Sequence, residues 1–166
     1  MTDLDLLNQM RPYYQTQDGS DRSTLFYDNA FANFLNGKNF NANFVAAFFP
    51  VLWMIYRRLY LPAFVYNIIL SILLSLIALD NIPMLIPINI LAMMFLGNFI
   101  YFKSIQLKIN RSISPHSEEK TDKMAVQLYL LMSLSMVVLS QATGHLLWPL
   151  ELIFWGWIYQ KNLKKN

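Results

Sequence analysis

Two long apolar runs in the middle of the chain dominate its pattern of hydrophobic and polar positions. Residues 61–79 and 82–102 contain no charged side chain, and the polar pair Asp80-Asn81 separates them. At a rise of about 1.5 Å per helical residue, the two runs would extend roughly 28 and 31 Å, close to the ~30 Å hydrocarbon layer of a bilayer. The pattern therefore predicts a transmembrane helical hairpin over residues 61–102.

A second apolar region follows at residues 124–159. The polar segment 141–145 divides it into residues 124–140 and 146–159, which would reach roughly 25 and 21 Å as helices. We expect a second hairpin of two short helices, with one bent span as the alternative. The predicted fold class is an all-α membrane protein with two transmembrane hairpins, four spans in all, of which the last is short.

The N-terminal part of the chain is more polar. Residues 1–22 contain Pro12, Asp18 and Gly19, which interrupt any long helix, so we predict a mobile polar tail. The first residues lack a continuous apolar core and include acidic side chains near the start, so we expect no cleavable signal peptide. The internal spans would then direct insertion into the membrane.

An aromatic helix is expected at the start of residues 23–60. Ser23 or Thr24 can cap its N-terminus, and Gly37 can end it because glycine adopts the left-handed conformation without steric cost. Its apolar face is formed by Phe26, Tyr27, Phe31, Phe34 and Leu35, which recur at helical spacing. Such a helix can lie on the headgroup surface or pack on the protein's own membrane domain.

The second part of residues 23–60 predicts an interfacial or half-inserted helix. Its apolar core, residues 44–56, is too short to span a bilayer comfortably, and Pro50 would kink a helix or start one. Aromatic rings and arginines suit the boundary between membrane and water. The residues expected to dock on the membrane interface or on a partner are Phe48, Phe49, Trp53, Tyr56, Arg57, Arg58 and Tyr60.

Charge placement predicts the orientation. The chain is 55 % hydrophobic and 14 % charged with a net charge of +3, whereas soluble domains carry roughly 25 % charge. Its basic residues lie in the N-terminal part, beside the first span, in the loop 103–123 and in the basic tail 160–166. Because positive residues stay in cytoplasmic loops, we expect a multi-pass protein of the bacterial inner (cytoplasmic) membrane with both termini cytoplasmic. A three-span model would place the lysine-rich tail outside.

Few side chains in the apolar regions can carry chemistry. No cysteine is present, which excludes disulfides and thiolate nucleophiles. Asp80 and His145 fall in predicted outer turns, and Glu151 in a first helical turn, where the helix dipole favours a carboxylate. A structural role for these three is preferred over a metal or proton site, because their spacing is not diagnostic. Asn98 and Tyr101 are further weak candidates for a polar site, and Asn98 is expected to bond a neighbouring helix.

A motif over residues 40–60 reads F-N-x-x-F-x-A-A-F-F-P-x-L-W-x-x-Y-R-R-x-Y, and Gly37-Lys38 and residues 97–101 extend it. It resembles the signature of a large bacterial family of small inner-membrane proteins of unknown function. The matching positions are Phe40, Asn41, Ala46, Ala47, Phe48, Phe49, Pro50, Trp53, Tyr56, Arg57 and Tyr60. The resemblance covers residues 34–109 and implies a membrane protein without supplying an activity. The region from Met124 onward is then an added hairpin.

These patterns lead to a functional expectation. The chain has no phosphate loop, dinucleotide turn or catalytic triad, so we expect a non-enzymatic accessory or scaffold subunit without cofactor or metal. Its expected partners are the lipid bilayer, through anionic headgroups on the cytoplasmic side, and a membrane protein or a second copy of the chain. Nucleic-acid binding is not expected. A small transporter or channel component is the alternative, and it would need Asn67, Asn89, Asn98 and Gln127 to line one path. A membrane enzyme is the third class.

Overall fold

The computed structural model describes residues 3–15, 22–38, 41–76, 82–111, 122–143 and 151–163. The described part of the chain is helical and contains no strand. Its helices are α1 (Asp3–Met10), α2 (Arg22–Leu35), α3 (Phe44–Phe48), α4 (Pro50–Tyr56), α5 (Tyr60–Leu76), α6 (Ile82–Asn110), α7 (Lys123–Thr143) and α8 (Glu151–Leu163). They belong to two compact units, residues 1–121 and residues 122–166.

The N-terminal residues pack against the rest of the first unit. A 3-10 turn (Arg11–Tyr13) follows α1, and both α1 and α2 contact α6. Met10 and Tyr14 are completely buried, although a mobile tail was predicted for residues 1–22. The physical reason is tertiary: these side chains fill a space against aromatic residues that lie far away in the sequence, which local polarity does not reveal.

Helix α2 ends as predicted. Gly37 has a positive φ of 75°, and its N–H donates to the carbonyl oxygen of Phe34 at 3.2 Å. The N–H of Lys38 donates to the carbonyl oxygen of Asn33 at 2.8 Å. These two bonds form the usual glycine-containing helix end, in which a left-handed residue lets the last carbonyl groups find donors. The prediction that Gly37 terminates the aromatic helix is confirmed.

The predicted interfacial helix is divided in two. Pro50 occupies the first position of α4, where the missing N–H of proline costs nothing. The chain turns again after α4 with Arg58 at a positive φ of 56°. The N–H groups of Arg58 and Leu59 donate to the carbonyl oxygens of Ile55 and Met54 at 3.0 and 2.8 Å. The same type of helix end as at Gly37 therefore forms here around an arginine.

Helix α3 lies very close to α6. A Cβ atom built on Gly97 of α6 would stand 2.6 Å from the Cβ atom of Ala46 in α3, which is well inside van der Waals contact. Ala46 and Ala47 are buried. The absence of a side chain at Gly97 is thus what lets the two helices approach, as small residues do at close helix crossings.

Helices α5 and α6 correspond to the two central apolar runs. Within the described residues, one helix, Pro83–Asn110, is long and apolar enough to cross a membrane, and the apolar helix Tyr60–Leu73 is shorter. The described helices therefore do not support the predicted four-span topology. Helix α6 also continues beyond Phe102 to Asn110, where a polar connector was predicted. Its last turns contain lysine, glutamine and leucine, which favour helix, and Ile105 is buried there.

The second unit consists of α7 and α8. The carboxylate of Asp122 accepts a hydrogen bond from the N–H of Ala125 at 2.9 Å, and it caps the start of α7 in the way that aspartate typically does. The ring of Tyr129 in α7 lies 5.3 Å from that of Phe154 in α8, centroid to centroid. Two helices in contact agree with the two-helix interpretation of residues 124–159, whereas the connecting residues 144–150 lie outside the described residues.

The close approach of α3 and α6 is testable by substitution of Gly97 with alanine. The added methyl group would clash with Ala46, so we expect a loss of about 1–3 kcal/mol in the free energy of unfolding. The measurement is thermal unfolding in a mild detergent. Gly156→Ala is the control, because a Cβ atom there meets nothing within 4 Å. Combining Gly97→Ala with Ala46→Gly should restore part of the loss, and an unchanged Gly97→Ala variant would show that the approach is absent.

Candidate functional site

A buried polar contact holds α3 against α6. The side-chain amide of Asn43 donates to Oδ1 of Asn98 at 2.8 Å, and Oδ1 of Asn43 accepts from the N–H of Ala46 at 3.0 Å, which caps α3. The backbone N–H of Asn43 donates to the carbonyl oxygen of Met94 at 2.8 Å. Asn98 also donates to the carbonyl oxygen of Asn41 at 3.2 Å. Both asparagine side chains are buried, so each bond replaces water that the site excludes.

An aromatic cluster surrounds Tyr101 one helical turn further along α6. The ring centroids of Tyr27, Phe31 and Trp53 lie 5.1, 5.7 and 6.0 Å from that of Tyr101, all with the rings close to edge-on. The indole N–H of Trp53 donates to the hydroxyl oxygen of Tyr27 at 3.4 Å. These edge-to-face contacts join α2, α4 and α6, and each contributes about 0.5–1.5 kcal/mol beyond area burial. We call this set, together with Tyr14, the aromatic cluster.

The aromatic cluster encloses an arginine. The guanidinium carbon of Arg57 lies 4.6 Å from the ring centroid of Tyr27, 5.5 Å from that of Tyr56 and 5.7 Å from that of Tyr101. Arg57 is only 9 % exposed, and its Nε atom has no hydrogen-bond partner in the described structure. A desolvated guanidinium on aromatic faces contributes about 2 kcal/mol. The ring faces therefore supply the stabilisation that a buried cation requires.

An ion pair fastens the N-terminal turn to α2. The guanidinium of Arg11 donates to both carboxylate oxygens of Asp28, at 3.2 and 2.6 Å, and the hydroxyl of Tyr14 donates to Asp28 as well. Burial acts to raise the pKa of Asp28, but the bonds from Arg11 and Tyr14 outweigh it and hold that pKa below its ordinary value. Burial, reinforced by Asp28, raises the pKa of Tyr14. The contact therefore holds a charged aspartate and a neutral tyrosine.

Helices α3, α5 and α6 carry large apolar side chains that are about half exposed or more within the described residues. The exposed residues of α3 are Phe44, Val45 and Phe48, and Phe49 follows directly after it; all four are between 59 and 64 % exposed. On α5 they include Leu61, Val65, Ile69, Ile72 and Leu76, and on α6 they include Met84, Ile86, Ile88, Leu91 and Leu96. Exposed large apolar side chains in this number are typical of a protein or membrane contact.

Helices α5 and α6 also share a hydrogen bond within this apolar region. The hydroxyl of Tyr66 donates to Oδ1 of Asn89 at 2.7 Å. The bond ties one polar group of each helix to the other, which is how polar side chains commonly join helices in apolar surroundings. Asn89 is one of the asparagines that a transport path would need, and its side-chain oxygen is occupied by this bond.

The seven predicted docking residues fall into two groups. Phe48 and Phe49 are exposed, and Tyr56, Arg58 and Tyr60 are partly exposed. Trp53 instead belongs to the aromatic cluster, which encloses Arg57, and both side chains are buried. The structure thus brings part of the predicted set to the surface and assigns the rest to packing. The docking role of these residues remains a prediction.

Of the weak polar-site candidates, Asn98 and Tyr101 are the two whose side chains the structure describes. Asn98 and Tyr101 are buried in α6 and take part in the contacts described above. Glu151 is the first residue of α8, in the first turn as predicted, and its side chain is outside the described part. Asp80 and His145 also lie outside the described residues. Within the described ranges, no group of three or more His, Cys, Asp or Glu residues could hold a metal ion.

Several residues of this site escaped the sequence analysis. Asn43 precedes a short apolar run, which is the signal of a helix N-cap and could have identified it. Tyr14 and the pair Arg11 and Asp28 carry no such signal, because their partners lie 14 and 17 residues away in the chain. The sequence analysis included Gly97 only as part of the family resemblance. Its contact with α3 gives a physical reason for a glycine at this position.

The arrangement defines a class of protein: a helical unit with a tightly packed aromatic interior and two apolar helices, α5 and α6, with exposed large apolar side chains. A family model described as "Protein of unknown function (DUF2628)" matches residues 16–106 of the chain. The match covers more than half of the chain, and the protein belongs to this family. The match confirms membership in a family of unknown function, whereas the motif over residues 40–60 and the bacterial inner-membrane character remain predictions. Searches of curated proteins and of solved structures find no match.

The enclosure of Arg57 is testable by the substitution Arg57→Lys. Lysine keeps the charge but cannot lay a planar guanidinium on three rings, so we expect a loss of about 1–2 kcal/mol in stability. We expect faster amide hydrogen exchange in α2, since Tyr27 of α2 contacts the guanidinium. Arg111→Lys, at an exposed position, is the matched control and should change neither quantity. If Arg57→Lys and Arg111→Lys showed the same stability and the same amide hydrogen exchange in α2, the role of Arg57 would be contradicted.

The contact between Arg11 and Asp28 predicts a pH dependence. The folded pKa of Asp28 lies below its unfolded value of about 3.9, so the stabilisation is fully present above that pH and is lost as the pH falls through the folded pKa. Asp28→Asn should therefore cost about 1 kcal/mol at pH 7, and this difference from the wild type should shrink below about pH 4. Thermal unfolding in detergent between pH 7 and 3 measures it. A difference that stays constant over this range would contradict the charged pair.

Proposed function

We propose that this protein is a non-enzymatic integral membrane protein of the accessory or scaffold type. In this proposal α5 and the first half of α6 form a membrane anchor, and residues 44–60 with the neighbouring basic side chains dock on lipid or on a membrane partner. Its location would be the bacterial inner membrane with both termini cytoplasmic. The second hairpin over residues 124–159 would add two short spans.

One observation carries the proposal: the apolar side chains of the anchor are exposed. Leu61, Leu76 and Met84 are 72, 77 and 67 % exposed, and they lie on helices with few polar groups. In water this surface would cost roughly 25 cal/mol for each Å². Lipid removes that cost, and in a helix most backbone groups are bonded within the helix, as a bilayer requires.

A transporter or channel component is the alternative, and the hydrogen bonds weigh against it. Of the four polar residues that such a path would need, Asn98 is fully buried and bonds Asn43, and Asn89 accepts from Tyr66. These bonds assign both side chains to helix packing. Gln127 belongs to the second unit. The packing of these residues therefore supports a scaffold more than a shared polar path.

Membrane extraction tests the anchor. The wild-type protein, expressed in bacteria, should stay in the membrane pellet after an alkaline carbonate wash and be released by detergent. The double variant Ile69→Arg and Leu91→Arg should lower the membrane fraction, because each arginine near a span centre costs about 2.5–3.5 kcal/mol. Leu25→Arg with Leu107→Arg adds the same charge at exposed positions outside the anchor and should leave the fraction unchanged. Carbonate release of the wild type would contradict the proposal.

Affinity purification in mild detergent separates the accessory role from the alternative. A membrane protein recovered in stoichiometric amount would support an accessory or scaffold subunit. A symmetric oligomer of the chain with a hydrated central cavity would favour the channel. A lone monomer would count against the accessory subunit.

A further inference from the structure

The exposed face of α3 lies opposite its contact with α6. Phe44 and Phe48 are 64 and 60 % exposed, and Val45 and Phe49 are similar, whereas Ala46 and Ala47 on the other side are buried against α6. A helix this short presents two aromatic residues one turn apart on its outer side. The face is too apolar for water and has no cover within the described residues.

Rotation cannot withdraw this face, because α3 is fixed at both the backbone and the side-chain level. The N–H of Asn43 donates to the carbonyl oxygen of Met94, and the side chain of Asn43 donates to Asn98. The close approach of α3 to α6 at Gly97 leaves no space for α3 to rotate against α6. The apolar face of α3 therefore stands at a fixed height along α6, beside residues 94–98.

The surroundings of α6 change at this same height. Before it, the side chains of Met84, Ile88 and Leu91 are exposed apolar groups, and Met93 is the first buried side chain among those described in α6. From Gly97 onward one side of α6 is buried under the N-terminal helices, as Tyr101 and Ile105 show. The exposed apolar part of α6 thus ends where α3 packs on it, and beyond this point α6 belongs to a packed helical head with α1, α2 and α4.

Cationic side chains lie on the head side of this boundary. Arg58 follows α4 and is partly exposed, whereas Arg57 is enclosed by the aromatic cluster and does not face the lipid. Lys103 is exposed, and its Nζ atom lies 5.6 and 5.5 Å from the ring centroids of Phe99 and Phe102. Cations above an apolar wedge match the order of a bilayer surface, in which phosphate groups lie outside the acyl chains. This complementarity favours lipid over a protein as the occupant.

We infer that α3 is an interfacial wedge, whose outer face inserts into the boundary between headgroups and acyl chains of the same bilayer that holds the anchor. This inference rests on the proposed membrane anchor. It places the membrane surface at Gly97, so the residues of α6 from Asn98 to Asn110 lie outside the hydrocarbon layer. The sequence pattern alone extended the span to Phe102.

The wedge has a consequence for the length of the anchor. From Ile82 to Leu96, α6 rises roughly 22 Å, which is less than the ~30 Å of a typical hydrocarbon layer. A span that is too short is accommodated by local thinning of the bilayer at a modest cost. A wedge at the surface displaces lipid headgroups sideways. This displacement also favours a thinner bilayer around the short span.

Depth-resolved fluorescence quenching tests the wedge, and the absence of native cysteines makes labelling clean. The full chain carries one environment-sensitive fluorophore at Phe48→Cys, Leu91→Cys or Leu107→Cys and is reconstituted in phosphatidylcholine–phosphatidylglycerol vesicles. Nitroxide lipids place the quencher shallow or deep in the acyl region, and iodide quenches from water. We expect Leu91→Cys to be quenched by the deep nitroxide. We expect Phe48→Cys to respond to the shallow nitroxide, at about 5–10 Å below the headgroups.

Leu107→Cys should respond to iodide alone, and Leu4→Cys in the N-terminal helix is its matched control. Two results at Phe48→Cys would overturn the wedge while leaving the anchor intact. The label could be quenched by iodide alone, or it could be reached by no quencher, as when a second copy of the protein covers it. Quenching of Leu107→Cys by lipid nitroxide would overturn the membrane boundary at Gly97. A Leu91→Cys label that no lipid nitroxide reaches would contradict the anchor itself, and the wedge with it.

Discussion

The contact between α3 and α6 is the constraint on which the first unit depends. At one height along α6, Gly97 lets Ala46 approach, and Asn98 bonds the residue that caps α3. A polar pair this deeply buried is costly if either partner is lost, typically by about 1–3 kcal/mol. The pair therefore specifies a single register of α3 on α6. The orientation of α4, which follows after a single residue, is set by that register.

The aromatic cluster joins α2 and α4 to α6, and these helices together form the packed helical head. Trp53 of α4 reaches Tyr101 of α6 and bonds Tyr27 of α2, so α2 is held by rings that the α3 contact has already positioned. Arg57 fills the space between three tyrosine rings. A cation buried in this way gains specificity from its geometry, since only a planar guanidinium fits between the ring faces. The N-terminal turn then joins through Tyr14 and Asp28.

The parts of this structure that local rules govern were predictable. Gly37 ends α2 because glycine alone adopts the left-handed conformation freely, and Pro50 begins α4 for an equally local reason. The two apolar runs became α5 and α6. The burial of Met10 and Tyr14 could not be foreseen, since it depends on residues distant in the chain. Arg58 takes a conformation that usually signals glycine, so the break after α4 carried no sequence signal.

The candidate site was predictable only in part, because composition does not separate a docking surface from a packed interior. Trp53 and Arg57 have the chemistry of a membrane boundary, yet the structure uses them to hold the head together. Phe48 and Phe49 have similar chemistry and remain exposed. The difference is their place in the fold: Phe48 lies in α3 and Phe49 directly after it, whereas Trp53 in α4 and Arg57 directly after α4 contact the rings of Tyr101 and Tyr27.

A double-mutant cycle on Asn43 and Asn98 is the most direct test of the central claim. The free energy of unfolding in mild detergent would be measured for Asn43→Ala, Asn98→Ala and the double variant. Because the two side chains are bonded to each other and buried, the account predicts a coupling energy of about 1–2 kcal/mol. Strictly additive effects of the two substitutions would contradict the claim that this contact holds α3 on α6.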